Sequence, residues 1–222
     1  PASEHTAENH IYWINKVLKE LKLKELVYAG QDWGGPIGMG ALSLSPELLK
    51  GAVLLNTGFN APKVNADLSP AHALVKTPVI GELLLEVVFS IFERLKSVQG
   101  NPDTWTSEVA ELYGRPVYES GNSKAPLAMM RMVPDGPNHQ SAPSMRRIEE
   151  YVNTLEIPAE IVWGENDPIL GRALPIMQQN FPNARLTKTT AGHFLQEEVP
   201  NEIAEALIRV IEEVTDLQTQ KN

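Results

Sequence analysis

The sequence predicts an α/β protein with a mainly parallel sheet, interrupted by a mostly helical insertion. Three observations carry this expectation. A strand, a helix and a second strand follow one another within residues 26–56, and such a unit implies parallel strands joined by a right-handed crossover. The same alternation resumes after about residue 158. Between about 61 and 150 no run of β-branched residues occurs, and Pro70, Pro102, Pro116, Pro126 and Pro134 mark breaks between apolar-periodic segments.

The first element reads as a helix. In "EHTAENHIYWINKVLKELKL" the apolar residues Ile11, Ile14, Val17, Leu18 and Leu21 repeat along one helical face, and Thr6 or Ser3 can cap the start. "ELVYAG" follows as a buried strand ending at Gly30. Residues 35–44 read as a helix that Gly35, Gly38 and Gly40 allow to pack closely. "SPELLKGAVLLNTG" supplies a turn and a second apolar strand over 51–56. Within the insertion the clearest periodicity covers 80–95. "AEIVWGEND" is a strand with its exit loop, "RALPIMQQNFP" a helix, and "ARLTKTTAGH" a short strand and loop. "PNEIAEALIRVIEEVTDL" is an amphipathic helix with Ile203, Leu207, Val210, Ile211 and Val214 on one side. The tail "QTQKN" is expected to fray.

Composition removes several function classes. The 222 residues fit one ordinary domain, or one with an insertion, and 42% hydrophobic with 21% charged content is globular. A formal net charge of -9 argues against nucleic acid or an anionic membrane surface as main partner. The chain has no cysteine, which excludes disulfides, thiolate metal sites and cysteine nucleophiles. The longest apolar run, in "GELLLEVVFSIF", is broken by Glu82 and Glu86 and is shorter than the roughly 20 residues of a membrane span. No secretory signal is visible, and the cytoplasm is the expected compartment. His5, His10, His72 and His139 show no metal-ligand spacing, and no Walker-type loop occurs, so no metal or cofactor is expected.

Three polar residues fall at the carboxyl ends of expected strands: Asp32, Asp167 in "GENDPIL" and His193 in "TAGHF". Ligands of open α/β sheets bind at such ends. Asp32 lies in "GQDWGG", a Gly-x-nucleophile-x-Gly elbow in which glycines let strand and helix approach. The helix start beyond it suits a negative charge, and a carboxylate there is a usable nucleophile. An Asp before a helix is often only an N-cap, and a lone "GENDP" is often only a loop. The chain order nucleophile, acid, histidine weighs against a purely structural reading. Glu197 and Glu198 read as a solvated helix start with no role.

On "GQDWGGPIG", "LLNTGF", "LYGRPVY", "APLAMMRMVP", "WGENDPILG" and "AGHFLQEE", the chain resembles the haloalkane dehalogenases of the α/β-hydrolase superfamily. The likeness covers nearly the whole chain and implies an α/β-hydrolase core over 1–60 and 151–222 with a helical cap over 61–150. It implies that Asp32 displaces halide from an sp3 carbon and forms an alkyl ester. Trp33 would point its indole N–H at the leaving halide. His193 would activate water against the ester, oriented by Asp167, and Leu170 and Phe194 would line the substrate pocket. Substrate and co-reactant would be a small apolar halogenated compound and water. No acid stands in "NTGFNAPKVN", the alternative position of the family's acid, which supports Asp167.

The resemblance also implies a second halide donor and about four strands before Pro1. Trp105 is a poor match for that donor and reads as core or pocket wall. The N-terminal half of the sheet has no counterpart here, so missing residues or a partner segment are expected to cover the edge of the Asp32 strand. Three rival readings remain open at this point. An epoxide hydrolase would use the same triad with Tyr113 and Tyr118 as acids. A fluoroacetate-type dehalogenase would need Arg115 or Arg131 in the pocket. A non-catalytic hydrolase-fold binder would keep the pocket without the covalent step.

Overall fold

The computed structural model describes residues 2–65, 70–83, 91–121 and 124–220. Four strands form one parallel sheet: β1 (Leu26–Gln31), β2 (Leu49–Leu55), β3 (Ala159–Gly164) and β4 (Arg185–Thr189), side by side in chain order. Before the second strand come helices α1 (Ala7–Glu20) and α2 (Gly34–Leu42). The stretch between β2 and β3 holds α3 (Pro70–Lys76), α4 (Ile80–Glu82), α5 (Ile91–Arg94), α6 (Ser107–Glu119), α7 (Ala125–Arg131) and α8 (Ala142–Val152). Then come α9 (Leu174–Asn180), α10 (Leu195–Glu198) and α11 (Pro200–Thr219).

Successive strand residues point to opposite faces. Ala52, Leu54, Ile161 and Trp163 therefore enter one core, with Met39 and Leu42 of α2, Ile148 of α8 and Met177 of α9. Val53, Leu55 and Val162 enter the other, against Ile203, Ala206 and Val210 of α11. Helices on both faces are what a parallel sheet requires. On the α11 face, Glu160 of β3 is buried, and Arg209 meets it with two hydrogen bonds of 2.7 Å. That bidentate pairing offsets the desolvation of the carboxylate.

Local details depart from expectation in instructive ways. Thr6 does cap α1, its hydroxyl accepting from Asn9 N–H at 3.2 Å. The buried stripe of α1, however, is Ala7, Ile11 and Asn15, whereas Val17 and Leu21 are exposed. Asn15 sets this rotation by donating to the Ala41 carbonyl and the Ser45 hydroxyl from inside the interface with α2. Pro116 lies inside α6 rather than ending it; one helical hydrogen bond is lost three residues before the helix end. Pro70 and Pro126 open α3 and α7 at the first and second positions, where no intrahelical donor is needed. Of the periodic stretch 80–95, residues 84–90 lie outside the described residues, and 80–82 and 91–94 are helical. The tail "QTQKN", expected to fray, begins as helix, because α11 runs to Thr219 and Gln218 donates to Glu25 at 2.9 Å; residues 221–222 lie outside the described residues. Among the described residues no helix is long and apolar enough to cross a membrane.

Candidate active site

Asp32 follows β1 with φ 46°, a left-handed conformation that costs most residues energy and that Asp tolerates better than most. The turn is held by backbone rather than by the carboxylate. Asp32 N–H donates to the Asn56 carbonyl at 3.1 Å. The Asp32 carbonyl accepts from Gly35 N–H at 3.1 Å and from the Thr57 hydroxyl at 2.7 Å. Gly35 is required here, because a Cβ on it would collide with the Thr57 side chain. The N-cap of α2 is Trp33, with no side-chain cap bond. So the capping reading of the Asp32 side chain fails: among the described residues its carboxylate accepts no hydrogen bond and stays available to the site.

Asp167 and His193 arrive on the loops after β3 and β4. His193 Nδ1 lies 3.0 Å from Asp167 Oδ2, and His193 Nε2 lies 4.0 Å from Asp32 Oδ1. The Asp167 side chain is fully buried and that of Asp32 is 38% exposed. The two loops are tied together by Glu165 N–H to the Thr189 carbonyl at 3.0 Å and Asn166 N–H to the Ala191 carbonyl at 3.1 Å. Trp163 Nε1–H donates to the Gly171 carbonyl at 3.0 Å and closes the Asp167 loop from below.

Burial pushes the Asp167 carboxyl up, yet the His193 hydrogen bond and charge, Asn56 and the Ile169 N–H together lower its pKa. Burial likewise pushes His193 down, but the Asp167 hydrogen bond and the charges of Asp32 and Asp167 raise it overall. The imidazole is thus held by one carboxylate while its other nitrogen faces a second, the geometry of a base with an orienting acid.

Sequence reading missed Asn56, which is fully buried at the end of β2 with φ 25°. Its side chain donates to Asp167 Oδ2 and to the Gly164 carbonyl, both at 2.9 Å, and accepts from Gly164 N–H at 2.7 Å. The available signal was the Asn after a wholly apolar strand. It was passed over because only an acid was sought there. Gln31 was also unassigned; its amide donates to the His193 carbonyl at 2.9 Å.

Trp33 lies beside Asp32, half-buried, and among the described residues its indole N–H has no acceptor. Phe194 packs edge-on against His193, with ring centroids 5.0 Å apart. Leu170 sits on the Asp167 loop, half-buried, with its carbonyl accepting from Ala173 N–H. Trp105 is buried against Phe194 at 4.7 Å, and its N–H is taken by the Phe92 carbonyl. Tyr113 donates its hydroxyl to Glu197 at 2.7 Å and accepts from Gln196 at 2.8 Å; burial first, with Glu197, pushes its pKa up to about 12. Tyr118 is exposed, with its ring on Phe92. Arg131 holds both oxygens of Glu82, and Arg115 is exposed near Glu119. Glu197 and Glu198 therefore contradict the solvated reading: Glu198 accepts backbone N–H groups from Gly100, Asn101 and Gly192.

A cavity of about 480 Å³ does not coincide with this cluster. It is lined by His5, Thr6, Glu82, Lys124 and Arg131 among others, and contains none of Asp32, Trp33, Asp167 or His193. Leu127 and Ala128 also line its wall, and in it Arg131 pairs with Glu82.

A strand-turn-helix elbow with a carboxylate, followed by an acid and a histidine on later strand ends, defines a hydrolase-type α/β site. A family model of the alpha/beta hydrolase fold matches residues 1–200. The chain belongs to that family and is a hydrolase. A cis-3-alkyl-4-alkyloxetan-2-one decarboxylase of Shewanella oneidensis is 25% identical over 99% of this chain and 70% of its own length. A haloalkane dehalogenase of Psychrobacter cryohalolentis is 26% identical over 95% of this chain and 69% of its own length. Among solved structures, a variant of haloalkane dehalogenase DatA from Agrobacterium tumefaciens superposes with TM-score 0.79 at 23% identity, covering 93% of this chain and 73% of that one. A loop variant of haloalkane dehalogenase DbeA from Bradyrhizobium elkanii gives TM-score 0.83 at 16% identity, over 98% and 77% of the two chains. These structural likenesses speak for the fold.

Proposed function

We propose that the site performs hydrolytic dehalogenation of small apolar haloalkanes. The observation that carries this most is Asp32 at the elbow, its carboxylate unbonded and 4.0 Å from an imidazole that Asp167 holds from behind. The Asp32 carboxylate attacks the carbon bearing halogen. A C–O bond forms, the C–halogen bond breaks, and the halide departs toward the Trp33 N–H, a donor placed where charge develops. His193 Nε2 then takes a proton from water, and the resulting hydroxide attacks the Asp32 ester carbonyl. The alkyl oxygen leaves as alcohol, and halide and one proton complete the balance. Asp167 orients the imidazole and stabilises its charged form. The helices of 61–150 act as a cap, with Phe194, Trp105 and Leu170 as apolar wall.

The epoxide hydrolase reading is disfavoured because the Tyr113 hydroxyl already donates to Glu197. The fluoroacetate-type reading is disfavoured because Arg131 is occupied by Glu82. A second reading, ring opening of a four-membered lactone to an alkene and carbon dioxide, is favoured by the relative that matches 99% of the chain. Halide release from 1-bromobutane, abolished in Asp32→Asn, supports the dehalogenase. Carbon dioxide from a cis-dialkyl oxetanone without halide release from the bromide would replace it. An Asp32→Asn variant with unchanged biology would point to a binder.

A further inference from the structure

We propose that Glu198 is a positioning residue for His193, fastening the loop at 98–101 to the loop that carries the imidazole. This rests on the proposed role of His193 as the base of ester hydrolysis. The half-buried Glu198 carboxylate spans the seam between the two loops. One oxygen accepts from Gly192 N–H at 2.7 Å and Gly100 N–H at 3.0 Å, and the other from Asn101 N–H at 2.7 Å. The next two backbone amides are also held from the same side. His193 N–H donates to the Val98 carbonyl at 2.8 Å, and Phe194 N–H donates to the Gln99 side chain at 3.0 Å.

So residues 193 and 194 anchor directly on one short segment of the insertion, and residue 192 does so through Glu198. The fit leaves no slack. A Cβ on Gly192 would strike the Val98 carbonyl and the Gly100 amide, and a Cβ on Gly100 would strike the Thr190 carbonyl. Asp167 fixes the plane of the imidazole, but the direction in which the His193 side chain leaves the backbone is set at this seam. The Glu198 carboxylate is a charged acceptor that bonds both loops at once, and charge-assisted bonds are the stronger kind. The Asp32 elbow, by contrast, is held mainly by Asn56 and Thr57, and it meets the seam through the Gln31 amide on the His193 carbonyl. Glu198 should therefore govern the step that uses His193 more than the step that uses Asp32 alone.

The test is single-turnover kinetics of Glu198→Gln and Glu198→Asp with 1-bromobutane, paired with the low-field Nδ1 proton of His193 by NMR. A misplacement on the scale of an ångström costs about 100-fold, so ester hydrolysis should slow by about 10- to 100-fold while the halide burst changes little. Alkylated enzyme should accumulate, and the Nδ1 proton should exchange faster. Glu198→Asp, which keeps the charge but is one methylene short, should fall between wild type and Glu198→Gln, and it carries the test if Glu198→Gln fails to fold. Equal slowing of both steps would mean a merely structural role and overturn the proposal. So would unchanged hydrolysis and unchanged proton exchange. If the wild type releases no halide, the dehalogenase reading fails, and the proton exchange in the two variants alone decides the positioning role.

Discussion

Replacing Asn56 by Ala removes three hydrogen bonds from a fully buried position and gives nothing back. The Gly164 N–H loses its acceptor in the core, which costs about 1–3 kcal/mol, and Asp167 loses a bond to a charged acceptor worth about 1.5–3 kcal/mol. The expected loss is about 3–5 kcal/mol. For a chain of this length each kcal/mol shifts the melting temperature by about 2–4 °C, so a fall of about 6–20 °C follows. Urea denaturation of the wild type and Asn56→Ala under identical conditions reads the difference through the midpoint, provided the slope is unchanged. Turnover should also fall at temperatures where the variant is fully folded, since Asp167 then has one fewer tether. A loss below about 1 kcal/mol, typical of a surface change, would refute the view that Asn56 joins β2, β3 and the Asp167 loop.

Three further outcomes follow from the same geometry. Gly35→Ala drives a methyl group into the Thr57 side chain and should cost about 1–3 kcal/mol by overpacking, measured by thermal melting; an unchanged melting temperature would contradict the close approach. Tyr113→Phe should keep halide release near wild type, because that hydroxyl is spent on Glu197, and a large loss would revive the epoxide reading. The pKa shifts give pH dependences of opposite sign. His193 is raised, so its contribution to stability is full below the ordinary histidine value and is lost as pH rises through the raised one. Asp167 is lowered, so its contribution is present above the ordinary aspartate value and is lost as pH falls through the lowered one. Ester hydrolysis needs neutral His193, and with Asp32 held as a neutral ester it is Asp167 that raises the imidazole against burial; the acid limb of the pH–rate profile should therefore move down in Asp167→Asn, and an unmoved limb would contradict the pairing.

What could be read from sequence followed from strong local signals. The four strands, their contiguity and the elbow were visible because apolar runs end at Gly-rich or Asp-containing turns, and parallel order follows from the crossovers. Asp32, Asp167 and His193 could be named together because each terminates such a run. The supporting groups were not legible in the same way. Asn56, Gln31 and Glu198 each act on a partner about a hundred residues away or more, and no local pattern distinguishes them from turn or helix-start residues. The stripe of α1 was misjudged for a similar reason: a periodicity count ranks Asn15 as polar, whereas its bonds to Ala41 and Ser45 place it in the interface.

The central claim is a covalent ester on Asp32 opened by water that His193 activates. The direct measurement is multiple turnover of 1-bromobutane in water enriched in oxygen-18, followed by mass analysis of the peptide that contains Asp32. Attack of water at the ester carbonyl predicts heavy oxygen in the Asp32 carboxylate. Labelled alcohol with an unlabelled Asp32 would mean that water attacks the substrate carbon directly, and the proposed role of Asp32 would be wrong.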